Sequence, residues 1–154
     1  MFTEFQFPYG DSALTARIPS KNIAFVLKRR HSRGLADENA SLFGAIRSPV
    51  DAPPLADCVS QGDKVVIVVT DNTRACPDDR LLPPILAELE RKLSREDITI
   101  IVALGLHAPL TENELIQKLG KDIVAGYRVL NHDIADTVNI GTTSRGTPVE
   151  VNRR

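Results

Sequence analysis

The sequence predicts an α/β fold of Rossmann-like type. It should have a mostly parallel sheet flanked by helices and an antiparallel β appendage at the N-terminus. Three observations carry this. KVVIVV (Lys64 to Val69) and DITIIVALG (Asp97 to Gly105) are short, β-branched apolar runs, as expected of strands buried on both faces. Between them Leu81, Leu82, Ile85, Leu86, Leu89 and Leu93 recur at helical spacing. A strand–helix–strand unit crosses over right-handed and makes its strands parallel. Two polar loops, TDNTRACPDD (Thr70 to Asp79) and LHAP (Leu106 to Pro109), then lie beyond the carboxyl ends of the strands. Open α/β sheets bind ligands at that edge. Asp71, Arg74 and His107 are therefore expected to face one crevice.

The remaining elements follow in order. Residues 4 to 28 read as antiparallel strands, FQFPYG, ALTARIP and NIAFVLK, with turns at Tyr9-Gly10-Asp11 and Pro19-Ser20-Lys21. Together, residues 1–30 form the appendage and 60–154 the Rossmann-like core. LKRRHSRG (Leu27 to Gly34), with His31, reads as a solvated basic loop. Residues 36 to 47 carry a weak helical pattern with Asp37 or Asn39 as its cap. Pro54 to Asp63 fits a short helix, with Pro54 in its first turn and Gly62 past its end.

After the central unit, Thr111 and Glu114 form a T-x-x-E capping box. Leu110 and Leu115 occupy the staple positions, and Gly120 is the C-terminal stop. This helix start holds the short His107 loop from its downstream side. GYRVLN (Gly126 to Asn131) reads as a third strand that delivers His132 and Asp133. DTVNIG and TPVEVN flank TTSRG, a hairpin signal with Gly146 at the turn. A doubly wound domain would continue past Arg154, so the chain is expected to be a truncated domain, an N-terminal catalytic-domain fragment.

Composition narrows the function. The 154 residues suit one domain or part of one, and 42% hydrophobic residues can support a core. A formal net charge of −1 argues against nucleic acid as a partner. No apolar run approaches the roughly 20 residues of a membrane helix, and MFTEFQFPYG is not a secretory signal. Cys58 and Cys76 have no metal-cluster spacing and read as reduced thiols in a cytoplasmic protein.

Each candidate residue has a functional and a plain reading. Arg74 can clamp a carboxylate or phosphate with its two-pronged guanidinium. Its plain reading is a surface arginine paired with Asp71 or Asp78. His107 can act as a general acid/base. Its plain reading is a loop histidine bonded to backbone, and no carboxylate near it in sequence would orient its second nitrogen. His132-Asp133 is a weaker candidate for touching ligand, and its plain reading is a turn. Asp71 can bind a ribose hydroxyl or orient Arg74, or can serve only as a turn former or helix cap. Arg145 sits at a hairpin tip. Cys76 lacks a base in sequence that would activate it. No dinucleotide fingerprint, Walker loop, zinc-protease motif or nucleophile elbow is present, and the three histidines do not make a metal site by spacing. The residues themselves lead to a small-anion crevice with an acid/base histidine.

At these loops the chain resembles a known family. T-D-N-T-R-A-C-P (Thr70 to Pro77), A-L-G-L-H-A-P-L-T (Ala103 to Thr111), N-H-D (Asn131 to Asp133) and G-T-T-S-R-G-T-P-V-E-V-N (Gly141 to Asn152) are similar to the N-terminal part of nickel-dependent lactate racemases and their 2-hydroxyacid racemase relatives. The four motifs stand in the family's order, and the resemblance runs from about Tyr9 onward.

The resemblance implies a small-molecule 2-hydroxy acid substrate and a nickel pincer nucleotide that accepts hydride from its α-carbon. One histidine removes the hydroxyl proton, and a second serves the opposite face. By position, His107 matches the first of these histidines and Arg74 the arginine near the substrate carboxylate. Asp71 and Thr73 match the loop in or beside the cofactor site. Leu106 and Ala108 stand where many relatives have threonine and arginine, and Ala75 where many have proline. The family's cofactor-tethering lysine, nickel-ligand histidine and second catalytic histidine lie beyond the last motif. No metal ligand is assigned here, and the chain alone is expected neither to retain nickel nor to racemise lactate. Two alternatives accompany this reading. One is a non-catalytic nucleotide- or carboxylate-binding module. The other is an incomplete domain that self-associates through an open sheet edge near Thr147 to Asn152.

Overall fold

A hairpin opens the chain. β1 (Phe2–Tyr9) and β2 (Ser12–Pro19) pair antiparallel, from Phe2 opposite Pro19 to Tyr9 opposite Ser12, in a computed structural model that describes residues Met1–Arg154. The expected third strand, NIAFVLK, does not form. Residues 23–28 pair with nothing, and Phe25 and Leu27 are exposed. Strand propensity without a partner edge does not make a ladder. Met1–Gly34 is one compact unit and Leu35–Arg154 a second.

In the second unit, α1 (Glu38–Arg47) starts at Asp37, whose carboxylate accepts the Ala40 N–H at 2.9 Å. The expected helix after Pro54 is only a 3-10 turn, Leu55–Cys58. The sheet follows, with β3 (Val65–Thr70), β4 (Ile98–Ala103) and β5 (Arg128–Asn131) parallel in the order β3-β4-β5. The expected parallel sheet is therefore present. α2 (Asp78–Leu89) links β3 to β4. α3 (Glu112–Leu119) and α4 (Lys121–Gly126) link β4 to β5. α2 starts three residues before the leucine pattern, with Asp78 and Asp79 in its first turn, where the helix dipole favours acids. The capping box of Thr111 and Glu114 forms, and Gly120 ends α3 at φ 95°, a conformation that favours glycine.

Strands in consecutive order with right-handed crossovers place both connections on the same face. One set of strand residues accordingly packs on the helices. Val69, Ile98, Ile100 and Val102 join Leu82, Leu86, Leu89 and Leu119 in the core. Ile98, Ile100, Val102 and Leu119 are wholly buried, each contributing about 1.5–3 kcal/mol. The alternate set corrects the expectation that β3 is buried on both faces. Val66 and Val68 are 42% and 66% exposed, and with Ile101 they line an open apolar cavity of about 570 Å³. The last hairpin, β6 (Thr137–Thr142) and β7 (Pro148–Asn152), pairs antiparallel as expected. Val151 and Asn152 of β7 reach this cavity.

One buried charge ties α1 to α2. Glu88 is 2% exposed. Arg47 donates to its Oε1 through Nε at 2.8 Å, and Arg91 donates to Oε2 at 2.9 Å. These bonds, Arg47's first, hold the Glu88 carboxyl below the usual range.

Candidate functional site

Three loops leave the carboxyl-terminal ends of β3, β4 and β5. Parallel register places those ends side by side, with Thr70 beside Ala103 and Val102 beside Asn131. Asp71 begins the first loop. The second turns at Leu104–His107, where the His107 N–H donates to the Leu104 carbonyl at 3.0 Å and Gly105 takes φ 57°. Thr111 then starts α3. His132 opens the third loop, its N–H donating to the Val102 carbonyl at 3.0 Å.

Asp71 and His107 meet. The Asp71 side chain is 5% exposed, and its Oδ2 is hydrogen-bonded to Nδ1 of His107. Its Oδ1 accepts from the Thr73 hydroxyl at 2.6 Å and the Thr73 N–H at 3.2 Å. The bond to His107 and then those to Thr73 lower the Asp71 carboxyl to about 2, so it is an anion at neutral pH. This is the orienting carboxylate that His107 lacked in sequence. A carboxylate on Nδ1 selects, for the neutral ring, the tautomer that leaves Nε2 as the acceptor. The His107 side chain is about half exposed, so that nitrogen is accessible.

Arg74 does not join this pair. Its N–H bonds back to the Asp71 carbonyl at 3.3 Å, and the loop then crosses toward α3, where Asn72 donates to Glu114 at 3.1 Å. Arg74 lines a cavity of about 260 Å³ with Asn72, Cys76 and Lys118. His107 lines a different cavity of about 370 Å³ with Asn131, His132 and Asp133. The expected single crevice is therefore two neighbouring cavities at one sheet edge. The plain reading of Arg74 also fails. Asp71 is taken by His107 and Asp78 by Lys118, and the Arg74 guanidinium bonds only the Thr73 hydroxyl, at 3.2 Å.

The other candidates resolve as follows. Asp133 is a turn former, with Oδ1 accepting the Ala135 N–H at 2.8 Å. Arg145 is exposed at the β6–β7 turn. A hydrogen bond to Asp78, with burial, pushes the Cys76 thiol up, the opposite of an activated nucleophile. No three His, Cys, Asp or Glu side chains converge in a way that would hold a metal ion. The residues present do not fit a nickel centre by themselves, and no chemical step is assigned through one.

Three site residues lay outside the sequence reading. Asn131 clamps the His107 loop, its Nδ2 donating to the Leu110 carbonyl at 2.9 Å and its Oδ1 accepting the Leu110 N–H at 3.1 Å. Asn152 bonds the His132 ring. Lys118 makes a buried ion pair with Asp78. Each is a long-range side-chain contact with no local pattern to mark it.

The lactate racemase from Thermoanaerobacterium thermosaccharolyticum is 28% identical over 96% of this chain, and that from Lactiplantibacillus plantarum is 28% identical over 95%. The chain spans 36% of the length of each. The structure of the lactate racemase apoprotein from T. thermosaccharolyticum superposes with a TM-score of 0.78 at 28% identity, covering 98% of this chain and 36% of that one. A Thermotoga maritima protein shares the fold alone, with a TM-score of 0.51 at 23% identity over 75% of this chain and 29% of that one. The model of the lactate racemase N-terminal domain matches residues 9–154, and the chain belongs to that family.

Proposed function

We propose that this chain is the N-terminal, catalytic-domain portion of a 2-hydroxyacid racemase acting on lactate or a similar acid. The observation that carries the reading is the Asp71–His107 pair, assembled from two loops at the ligand-binding edge of a parallel sheet. Racemisation needs a group that removes the substrate hydroxyl proton and returns it. His107, held by Asp71, supplies Nε2 for that transfer, and the Asp71 anion stabilises the imidazolium that forms. Arg74 has no carboxylate partner in the chain, and to hold one oxygen of the substrate carboxylate it would reach over from the neighbouring cavity that it lines.

Hydride acceptance from the α-carbon is chemistry that a nickel pincer nucleotide would supply in the whole enzyme. We assign Asp71 to His107 in preference to a cofactor ribose, because both of its oxygens are occupied. Thr73, exposed in the same loop, gives its hydroxyl proton to Asp71 and accepts from Arg74, which leaves one hydroxyl lone pair to meet a nucleotide.

The test is His107→Ala in the whole enzyme of which this chain forms the N-terminal part. Turnover should be abolished with nickel and nucleotide loading retained. Unchanged racemisation would remove the proton-transfer role.

A further inference from the structure

His132 shares the His107 cavity, and its protonation pattern can be read from its neighbours. The Asn152 side chain reaches it from β7, with Nδ2 at 2.9 Å from the ring Nδ1. The Asn152 amide cannot be the other way round, because its Oδ1 accepts the Arg154 backbone N–H at 2.9 Å. An amide N–H facing Nδ1 requires that nitrogen to be an acceptor. A neutral His132 ring therefore carries its proton on Nε2, which no protein atom accepts.

The lining of the cavity gives that N–H its use. Among its lining residues, Asn131 gives one of its two amide N–H donors to Leu110, and Asp133 is an acceptor. No arginine or lysine lines it. His107 Nε2 is the proton acceptor of the proposed reaction. His132 Nε2–H is then, beside the second Asn131 amide N–H, a side-chain donor of this lining that no protein atom engages.

We propose that His132 is a substrate-orienting residue, with its Nε2–H donating to a carboxylate oxygen of the 2-hydroxy acid whose hydroxyl faces His107. This rests on the racemase reading above. The role is binding, not proton transfer, since Asn152 holds the ring as a donor.

The experiment has two arms. In the whole enzyme, lactate racemisation is followed for His132→Phe, His132→Gln and Asn152→Ala. His132→Phe should raise KM roughly ten- to a hundredfold, the worth of one hydrogen bond to a charged group, with kcat changed far less. Glutamine, which can place an N–H near the lost Nε2–H, should recover most of that loss. Asn152→Ala should raise KM by less, because it frees the ring without removing it. In the 154-residue chain, ring ¹⁵N spectra should show His132 protonated at Nε2, and Asn152→Ala should release a mixture of tautomers.

An Nδ1-protonated ring, or a His132→Phe enzyme with unmoved KM, overturns the proposal. If the unmutated enzyme turns over lactate while His132→Phe leaves KM alone, this inference falls by itself. If the unmutated enzyme racemises no 2-hydroxy acid, the racemase reading falls and this inference falls with it.

Discussion

Asp71 and His107 stand 36 positions apart, yet one oxygen of the Asp71 carboxylate meets the His107 ring while Thr73 fills the other. This division of labour predicts the effect of Asp71→Asn. Thr73 offers two donors, so the amide oxygen must take the Oδ1 place and the amide nitrogen must face His107 Nδ1. Nδ1 then becomes an acceptor and the ring proton moves to Nε2, the nitrogen that should receive the substrate proton. The expected result in the whole enzyme is a loss of about 10²- to 10⁴-fold in kcat. Far-ultraviolet circular dichroism should be unchanged. Wild-type kcat in this variant would mean that the His107 tautomer is set by something else.

Acid should unfold the chain in a defined window. Asp71 is lowered from 3.8 to about 2 by His107 and then Thr73, and Asp97 from 3.8 to about 2 by Lys64 and then Ser94. Both carboxyls hold protons more weakly folded than unfolded. Their contribution is present above the unfolded value and is lost as pH falls through the folded one. Urea midpoints should therefore drop between about pH 4 and about pH 2. Asp97→Asn should flatten that drop without touching the site. An unchanged slope in that variant would show that Asp97 does not contribute. Asp97 lies beside the exposed Lys64, so screening by salt should weaken its share more than that of the buried Asp71.

The parts that sequence makes legible are those governed by near neighbours. β3 and β4 announce themselves through β-branched runs, and the α3 start through Thr111 and Glu114 three residues apart. The three-loop edge follows from the parallel crossovers, and His107 and His132 fall on it. The partners do not follow. Asp71 could have served Arg74 or a cap as readily as His107, because choosing among them needs the path of the loop after Thr70. The same holds for the second face of β3. An apolar run reads as doubly buried, but consecutive strand order sends both connections to one side and leaves Val68 exposed. Lys118 sits among the polar residues of α3, and nothing local distinguishes it from a solvated lysine.

Lys118 is a stability determinant beside the Arg74 cavity. Its Nζ is 2.6 Å from Asp78 Oδ2, an oxygen no other donor reaches, and the two side chains are 6% and 7% exposed. Lys118→Met leaves a buried anion at the start of α2 without a charged partner, with only the Cys76 thiol beside it. The cost should be about 3–5 kcal/mol in denaturant unfolding. Removing both charges, with Asp78→Asn added, should recover much of that loss. If the single and double variants are equally unstable, the aliphatic packing of Lys118, not the pairing, is what matters.

Asn131 should hold the His107 loop in place. Its amide makes both available bonds to the Leu110 backbone, at 2.9 and 3.1 Å, and so joins the end of β5 to the segment between His107 and the Thr111 cap. The Leu110 side chain is 6% exposed and anchors the same point in the core. Asn131→Ala leaves a part-buried N–H and carbonyl without partners, a cost of about 1–3 kcal/mol. Because the lost bonds are local, the Leu110 amide should exchange its hydrogen faster than the rest of α3 does, a sub-global opening confined to this loop. In the whole enzyme the same variant should lower kcat while leaving the Asp71 carboxylate in its place. A fall in overall stability with Leu110 exchange no faster than that of α3 would assign Asn131 to the core and not to the loop that presents His107.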